Sequence, residues 1–234
     1  MYVFGKNVAK ELISNKRHIK KAYLSKNMIS SSIDEDLKSL NVKVNYLNKT
    51  ELDQIAEGNH QGVILEIPDF SYLTEDDMFS KMSSSPFIVI LDHIEDPHNF
   101  GAIIRTAEAA GVDFVVIPKD RSVKVNATVM KTSAGALDNV KIVQVTNINN
   151  LIKNLKKNGV WVFGTDMENS VSYDSVDYTL PTALIIGSEG FGMSNLVKQN
   201  CDFIVSIPMF GKINSLNASV AAGIIMYEVV RQRK

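Results

Sequence analysis

Continuous apolar runs alternate with amphipathic stretches along most of the chain. Six runs in the second part are apolar almost throughout: FIVILD (87–92), FVVIP (114–118), KIVQV (141–145), VWVFG (160–164), ALIIG (183–187) and FIVSIP (203–208). Strands without polar alternation are typical of a parallel sheet that helices cover on both faces. Helical patterns separate these runs, and a long one closes the chain at 216–234. The pattern predicts an α/β fold with a mostly parallel sheet.

Shorter elements alternate over the first 70 residues. The segments NVAKELI, SIDEDLKSL and NKTELDQIA predict helices, and KAYLS, VKVNYL and GVILEI predict strands. The acidic stretch LTEDDMFSKM then leads into SSSPF, which indicates a linker that ends at a proline. We therefore expect a small α/β domain at 1–70, a linker at 71–84 and a larger domain at 85–234.

Composition narrows the class of protein. Hydrophobic residues make up 45% of the chain and charged residues 22%, as in an ordinary globular protein. The single cysteine, Cys201, excludes an internal disulfide framework and a cysteine-rich zinc site. No apolar stretch approaches a membrane span, and the first residues lack the layout of a secretory signal. These features predict a cytoplasmic protein with no membrane partner.

The distribution of charge says more than the net charge of −1. Residues 1–30 contain seven basic side chains and one acid, whereas residues 34–77 contain eleven acids and three lysines. A basic face of this kind suits a nucleic-acid partner, and an unevenly charged solvated surface would look the same.

Several strands are followed by loops with suggestive chemistry, and in open parallel sheets ligands bind at the carboxyl ends of strands. The loop GSEGFG (187–192) resembles a dinucleotide-binding turn, but its glycines occupy positions 1, 4 and 6, and Glu189 would oppose a pyrophosphate. A metal site in DHIEDPH (92–98) has no second ligand cluster to complete it, so we predict no metal. Helix capping is the simpler role for Asp92, Glu95 and Asp96.

Three further features stay open at this point. Arg105 lies on a helix of small and apolar residues, where it either meets an anion or extends its charge to solvent. Capping accounts for one of the polar residues Asn214, Ser215 and Asn217, but not for all three. The apolar final helix is either a subunit interface or part of the core.

Three motifs follow one another along the second part of the chain: EDPHNFGAIIRTAEAAG (95–111), IIGSEGFGMSN (185–195) and IPMFGKINSLNASVAAGIIMYE (207–228). In residue type, order and spacing they resemble the signatures of the SpoU/TrmH family of RNA ribose 2′-O-methyltransferases. The N-terminal GKNVAKELI and NHQGVILEI are similar to the substrate-binding domain of the subgroup that methylates a guanosine in 23S rRNA.

The resemblance implies a SPOUT α/β domain with a C-terminal trefoil knot, S-adenosyl-L-methionine as cofactor, and a homodimer formed through that domain and its final helix. It also implies a ribosomal-protein-type RNA-binding module at the N-terminus. The catalytic residues it implies are Asn99, Arg105, Glu189, Ser215 and Asn217. The cofactor-binding residues it implies are Gly164, Thr165, Ile186, Gly187, Gly192, Ile207, Met209, Ser215, Leu216 and Asn217. Within the basic N-terminal segment, the candidate RNA-binding residues are Lys6, Lys10, Arg17, Lys20 and Lys21.

Chemistry refines one of these roles. A guanidinium stays protonated at physiological pH, so we interpret Arg105 as a clamp on the phosphate beside the target ribose rather than as the base. The expected reaction is methylation of a ribose 2′-hydroxyl, with rRNA favoured over tRNA by the separate N-terminal domain. A tRNA methyltransferase of the same family and a non-catalytic RNA-binding or ribosome-assembly protein are the alternatives.

Overall fold

In a computed structural model of this protein, backbone hydrogen bonds join the strands into two separate sheets. The structure describes residues 1–56, 58–188, 190, 192–213 and 215–234. The chain divides into two compact units. The first consists of Met1–Ser71 together with Val125–Lys131, and the second of Tyr72–Lys124 together with Thr132–Lys234.

The first unit is built on a mixed four-stranded sheet. Its elements are β1 (Tyr2–Phe4), α1 (Lys6–Ser14), β2 (Lys21–Ser25), α2 (Ser32–Ser39), β3 (Val44–Leu47), α3 (Lys49–Ile55) and β4 (Val63–Glu66). The strand order is β1-β4-β2-β3, in which only the β2–β3 pair is parallel. Asn48 begins α3 with a capping box, because its side chain accepts from the Glu51 N–H and the Glu51 carboxylate accepts from the Asn48 N–H.

The second unit contains a seven-stranded sheet in which every pairing is parallel, as the apolar runs predict. Its strands are β5 (Phe87–Asp92), β6 (Phe114–Pro118), β7 (Ile142–Val145), β8 (Trp161–Thr165), β9 (Val171–Ser172), β10 (Thr182–Gly187) and β11 (Phe203–Ser206). Its α-helices are α4 (Glu75–Lys81), α5 (Pro97–Ala109), α7 (Ile148–Lys157), α8 (Asn195–Asn200) and α9 (Ala218–Gln232), while most of α6 (Ala127–Ser133) belongs to the first unit. The order β7-β6-β5-β10-β8-β11-β9 places the buried β5 and β10 side by side.

A helix lies within the segment predicted as a linker. Thr74 and Asp77 form a capping box at the start of α4, and Met78 on this helix is fully buried in the core of the second unit. Capping and burial of one apolar side chain thus order residues that composition alone assigns to a connection.

The C-terminal residues bond the end of α9 to other parts of the second unit. The Arg233 guanidinium donates to the carbonyls of Tyr178 (2.9 Å), Leu180 (2.6 Å) and Pro86 (3.2 Å). Its Cζ also lies 5.4 Å from the centre of the Phe87 ring. Gln232 adds two bonds to the backbone, one from the Tyr178 N–H and one to the Val176 carbonyl.

We expect Arg233→Ala to lower the free energy of unfolding by about 2–4 kcal/mol, because several carbonyls lose a charged donor together. Urea denaturation measures this loss. Lys234→Ala removes an exposed neighbouring charge and should change the stability by less than about 0.5 kcal/mol. Equal stabilities of the two variants would contradict the stabilising role of the Arg233 hydrogen bonds.

Candidate active site

A cavity of about 470 Å³ lies where β8, β10 and β11 end. It forms there because the carboxyl ends of parallel strands meet at one edge of the sheet. Eight of the predicted cofactor-binding residues line it: Thr165, Ile186, Gly187, Gly192, Ile207, Met209, Ser215 and Leu216. The walls therefore come from three segments that are far apart in the sequence.

Gly187 allows two backbone segments in the wall of this cavity to approach closely. A Cβ atom at this position would lie 2.4 Å from the carbonyl carbon of Gly192 and 2.5 Å from the backbone nitrogen of Met193. The neighbouring Ser188 and Gly192 exchange backbone hydrogen bonds of 3.1 and 2.9 Å, so the chain returns to its own strand end. Only glycine fits this close approach of two backbone segments.

Two predicted cofactor-binding residues have other surroundings. Gly164 lies on β8, where an added Cβ would stand 2.6 Å from the Met193 side chain and 2.8 Å from the Cys201 sulfur. Asn217 caps α9, since its side-chain oxygen accepts from the N–H groups of Ser219 and Val220. Neither residue is part of the cavity lining.

An ion pair in the cavity wall was missing from the sequence prediction. The Lys198 Nζ lies 2.5 Å from an Asp166 carboxylate oxygen, and both side chains are largely buried. The other Asp166 oxygen accepts from the Glu168 N–H at 3.0 Å. The loop GTDMEN drew attention as a strand end, but no sequence spacing links Asp166 to a lysine 32 positions further on.

A second cavity of about 490 Å³ shares Ser188 and Gly192 with the first. The loop between β5 and α5 forms much of its wall, and Arg121, Met193 and Ser194 complete it. The two cavities therefore share part of one wall.

The acidic residues of this loop have distinct roles. Asp96 caps α5 by accepting from the N–H groups of His98 and Asn99, as predicted. The expectation that Asp92 also caps this helix is wrong. Its buried carboxylate accepts from the Ser194 N–H at 2.9 Å, and the other oxygen lies 2.6 Å from His93 Nδ1. Asp92 therefore ties the end of β5 to the start of α8.

The structure brings two of the predicted catalytic residues into contact. The Asn217 amide donates to the side-chain oxygen of Asn99 at 2.9 Å, and Asn99 is only 8% exposed. Asn99 also lines the second cavity, whereas Ser215 lines the first. Arg105 is exposed on α5 and lines neither cavity. Glu189, the remaining predicted catalytic residue, lies outside the described residues.

The basic residues of the first unit differ in exposure. Lys6, Lys10 and Lys20 are exposed, while Arg17 and Lys21 are partly buried. The Lys21 ammonium lies 5.1 Å from the centre of the Tyr23 ring. Their contact with RNA stays a prediction.

Other chemistries find little support in the described part of the chain. No three His, Cys, Asp or Glu side chains among these residues are grouped to hold a metal ion. Burial raises the pKa of the Cys201 thiol to about 12, so this cysteine is a poor nucleophile at neutral pH. None of the helices in the described ranges combines the length and hydrophobicity that a membrane crossing requires.

Two family models together match most of the chain. The model of the SpoU rRNA methylase family covers residues 86–227, and that of the RNA 2′-O ribose methyltransferase substrate-binding domain covers residues 2–73. A protein of Bacillus subtilis named as the TrmH family tRNA/rRNA methyltransferase YacO is 41% identical over 238 residues, which span 99% of this chain and 96% of that protein. A similarly named protein of Staphylococcus saprophyticus is 43% identical over 237 residues, which span 99% of this chain and 95% of the relative.

Solved structures agree with these matches. The SpoU methyltransferase AviRb from Streptomyces viridochromogenes, in complex with the cofactor AdoMet, has a TM-score of 0.77 at 26% identity, covering 100% of this chain and 90% of AviRb. A TrmH/SpoU tRNA-modifying enzyme from A. aeolicus has a TM-score of 0.59 at 34% identity, covering 65% of this chain and 77% of that one. These matches, together with the parallel sheet at whose edge the cavity lies, show that the chain belongs to the SpoU rRNA methylase family.

Proposed function

We propose that this protein transfers a methyl group from S-adenosyl-L-methionine to a ribose 2′-hydroxyl of RNA. The observation that carries the proposal is the 470 Å³ cavity, whose walls come from the segments around 165, 187 and 215. Two of these segments belong to the family motifs, and the sheet places all three at one edge.

The cavity suits this cofactor in size and chemistry. Its volume lies in the range of small-molecule sites. Apolar side chains such as Ile186, Ile207 and Leu216 offer a surface for an adenine ring, and Glu168 offers an acidic group toward a cation, whereas Asp166 is already paired with Lys198. When bound, S-adenosyl-L-methionine supplies an electrophilic methyl group on a sulfonium.

The side chains near the shared wall are assigned to the ribose. Asn99 is held by Asn217, so its amide is oriented before RNA arrives. Ser215, which belongs to the third motif, lines the cofactor cavity. Arg105 clamps the phosphate beside the target ribose, and its charge favours the alkoxide that develops on the 2′-oxygen. Glu189 is assigned to orient Asn99 or a loop N–H.

A guanosine in 23S rRNA is the favoured target. The match of residues 2–73 to a dedicated substrate-binding domain supports a large folded RNA. A tRNA is the alternative, since the relatives are named for both RNA classes.

The active form is proposed to be a cytoplasmic homodimer whose interface includes α9. Val220 and Tyr227 on this helix are about half exposed although both are largely apolar, which supports a partner surface. The C-terminal segment is proposed to thread the trefoil knot of the SPOUT domain.

The direct test is transfer of radiolabel from S-adenosyl-L-methionine to rRNA and to tRNA by the full chain. Digestion to nucleosides then locates the label. We expect 2′-O-methylated nucleosides, and label on a base would contradict ribose methylation. Cofactor binding without transfer to any RNA would favour a non-catalytic role.

Removing three exposed charges together should weaken RNA binding in a salt-dependent way. For Lys6→Gln, Lys10→Gln and Lys20→Gln combined, we expect the negative slope of log K against log salt concentration to become shallower by about 2–3. Each phosphate contact contributes about 0.7–0.9 to the magnitude of this slope. Filter binding at several salt concentrations measures the slope. The control is Lys153→Gln with Lys157→Gln on α7, which removes two exposed charges, and an equal loss per lysine in this control would show that the effect is only net charge.

A further inference from the structure

We propose that the 490 Å³ cavity beside the cofactor cavity receives the base of the target nucleotide, and that the Glu95 carboxylate selects guanine there. This inference rests on the proposed function, because it names the substrate of the same site. It concerns the cavity lined by His93, Glu95, Asn99 and Arg121.

The position of the cavity supports a base-binding role. It shares Ser188 and Gly192 with the cofactor cavity, and it is lined by Asn99, which we assign to the ribose. A ribose at this common wall has its base on one side and its 2′-hydroxyl toward the cofactor. Enzymes that modify a base within a duplex extrude the nucleotide into such a pocket, and we extend this arrangement to the nucleotide whose ribose is methylated.

The backbone around the cavity supports a ligand as well. His93 and Arg121 have φ angles of 61° and 54°, in the left-handed region that non-glycine residues rarely adopt. Such residues are found at binding and catalytic sites, and two of the eight among the described residues lie at this cavity. Both side chains belong to the wall of this one cavity.

Glu95 is the carboxylate of this cavity that is available to a ligand. The two Asp96 oxygens accept from the N–H groups that begin α5. Glu95 is exposed and makes no hydrogen bond or ion pair to any residue that the structure describes. Its two oxygens can therefore accept a pair of donors from a bound base.

Guanine is the base that meets this requirement. Its Watson–Crick edge carries adjacent N1–H and N2–H donors, which a carboxylate accepts together, whereas adenine, cytosine and uracil each place an acceptor beside their donor. Arg121 can donate to the O6 and N7 acceptors on the other edge of guanine. A cavity with both groups thus favours guanine, the base that offers a carboxylate two adjacent donors.

The test uses the full chain, labelled S-adenosyl-L-methionine and unmodified rRNA and tRNA transcripts. We expect the label in 2′-O-methylguanosine. Label in another 2′-O-methylnucleoside would overturn the base assignment while leaving the proposed function intact. Absence of label from every nucleoside would contradict the proposed function, and this inference with it.

Variants then test Glu95 itself on a short RNA that contains the mapped site. We expect Glu95→Gln to lower kcat/KM about 10- to 100-fold, the range that one bidentate base contact contributes. Glu108→Gln makes the same change in charge on α5, where its side chain can still accept from Asn139, and should keep full activity.

Inosine at the target separates base selection from a structural effect. Inosine lacks the N2 amino group, so the wild type should prefer guanosine and Glu95→Gln should lose most of this preference. Glu95→Ala serves as a second variant if the glutamine protein does not fold, and calorimetric binding of the cofactor reports folding of either. An unchanged guanosine preference in a variant that binds cofactor would overturn the role of Glu95.

Discussion

Replacing Gly187 with alanine is expected to weaken cofactor binding by more than about 100-fold. The added Cβ would lie within 2.7 Å of three backbone atoms of Gly192 and Met193, far inside normal contact distance. Backbone atoms cannot rotate aside as a flexible side chain can. The backbone of Gly192 and Met193 must therefore move, and this movement breaks the pair of bonds between Ser188 and Gly192 and displaces a wall of both cavities.

Calorimetric titration with S-adenosyl-L-methionine measures the loss. Gly211→Ala is the matched control, because a Cβ at Gly211 meets nothing within 4 Å and its backbone is not left-handed. Urea denaturation separates a local effect from unfolding, since both variants should keep a cooperative transition. Normal cofactor affinity in Gly187→Ala would mean that the cofactor does not use this cavity.

The strands of the second unit were predictable because the signal is local. The runs FIVILD and FVVIP match β5 and β6 residue for residue, since a strand buried on both faces needs apolar side chains at every position. The short β1 and β9, of three and two residues, were missed. Elements of this length carry no periodicity and exist only because a neighbouring strand pairs with them.

The candidate site was predictable at the level of loops but not of contacts. Strand ends bring residues 165, 187 and 215 together, and this follows from topology. The bond from the Ser194 N–H to Asp92 joins residues 102 positions apart, and the ion pair of Asp166 with Lys198 joins residues 32 positions apart. Nothing in the chemistry of either carboxylate indicates its partner, so capping was the natural but incorrect role for Asp92.

Substitution of Arg105 should separate catalysis from cofactor binding. We expect Arg105→Ala to lower kcat by about 10²–10³, the usual cost of removing one donor that stabilises a developing oxyanion. Cofactor affinity should be unchanged, because Arg105 lines neither cavity. Stability should also change little, since the side chain is exposed while its neighbours Ile103 and Ile104 are buried.

Arg105→Lys tests the geometry of the clamp rather than its charge. Lysine keeps one positive charge but cannot offer two parallel N–H groups to a phosphate, so we expect kcat to fall at least about tenfold. Arg231→Lys, at an exposed arginine that bonds Glu228, is the control and should keep normal turnover. Single-turnover methyl transfer on rRNA measures the rates. Near-normal turnover of Arg105→Lys would rule out a bidentate clamp. Loss of RNA binding by Arg105→Ala with intact methyl transfer to a short substrate would also rule it out, because the arginine would then serve affinity and not the reaction.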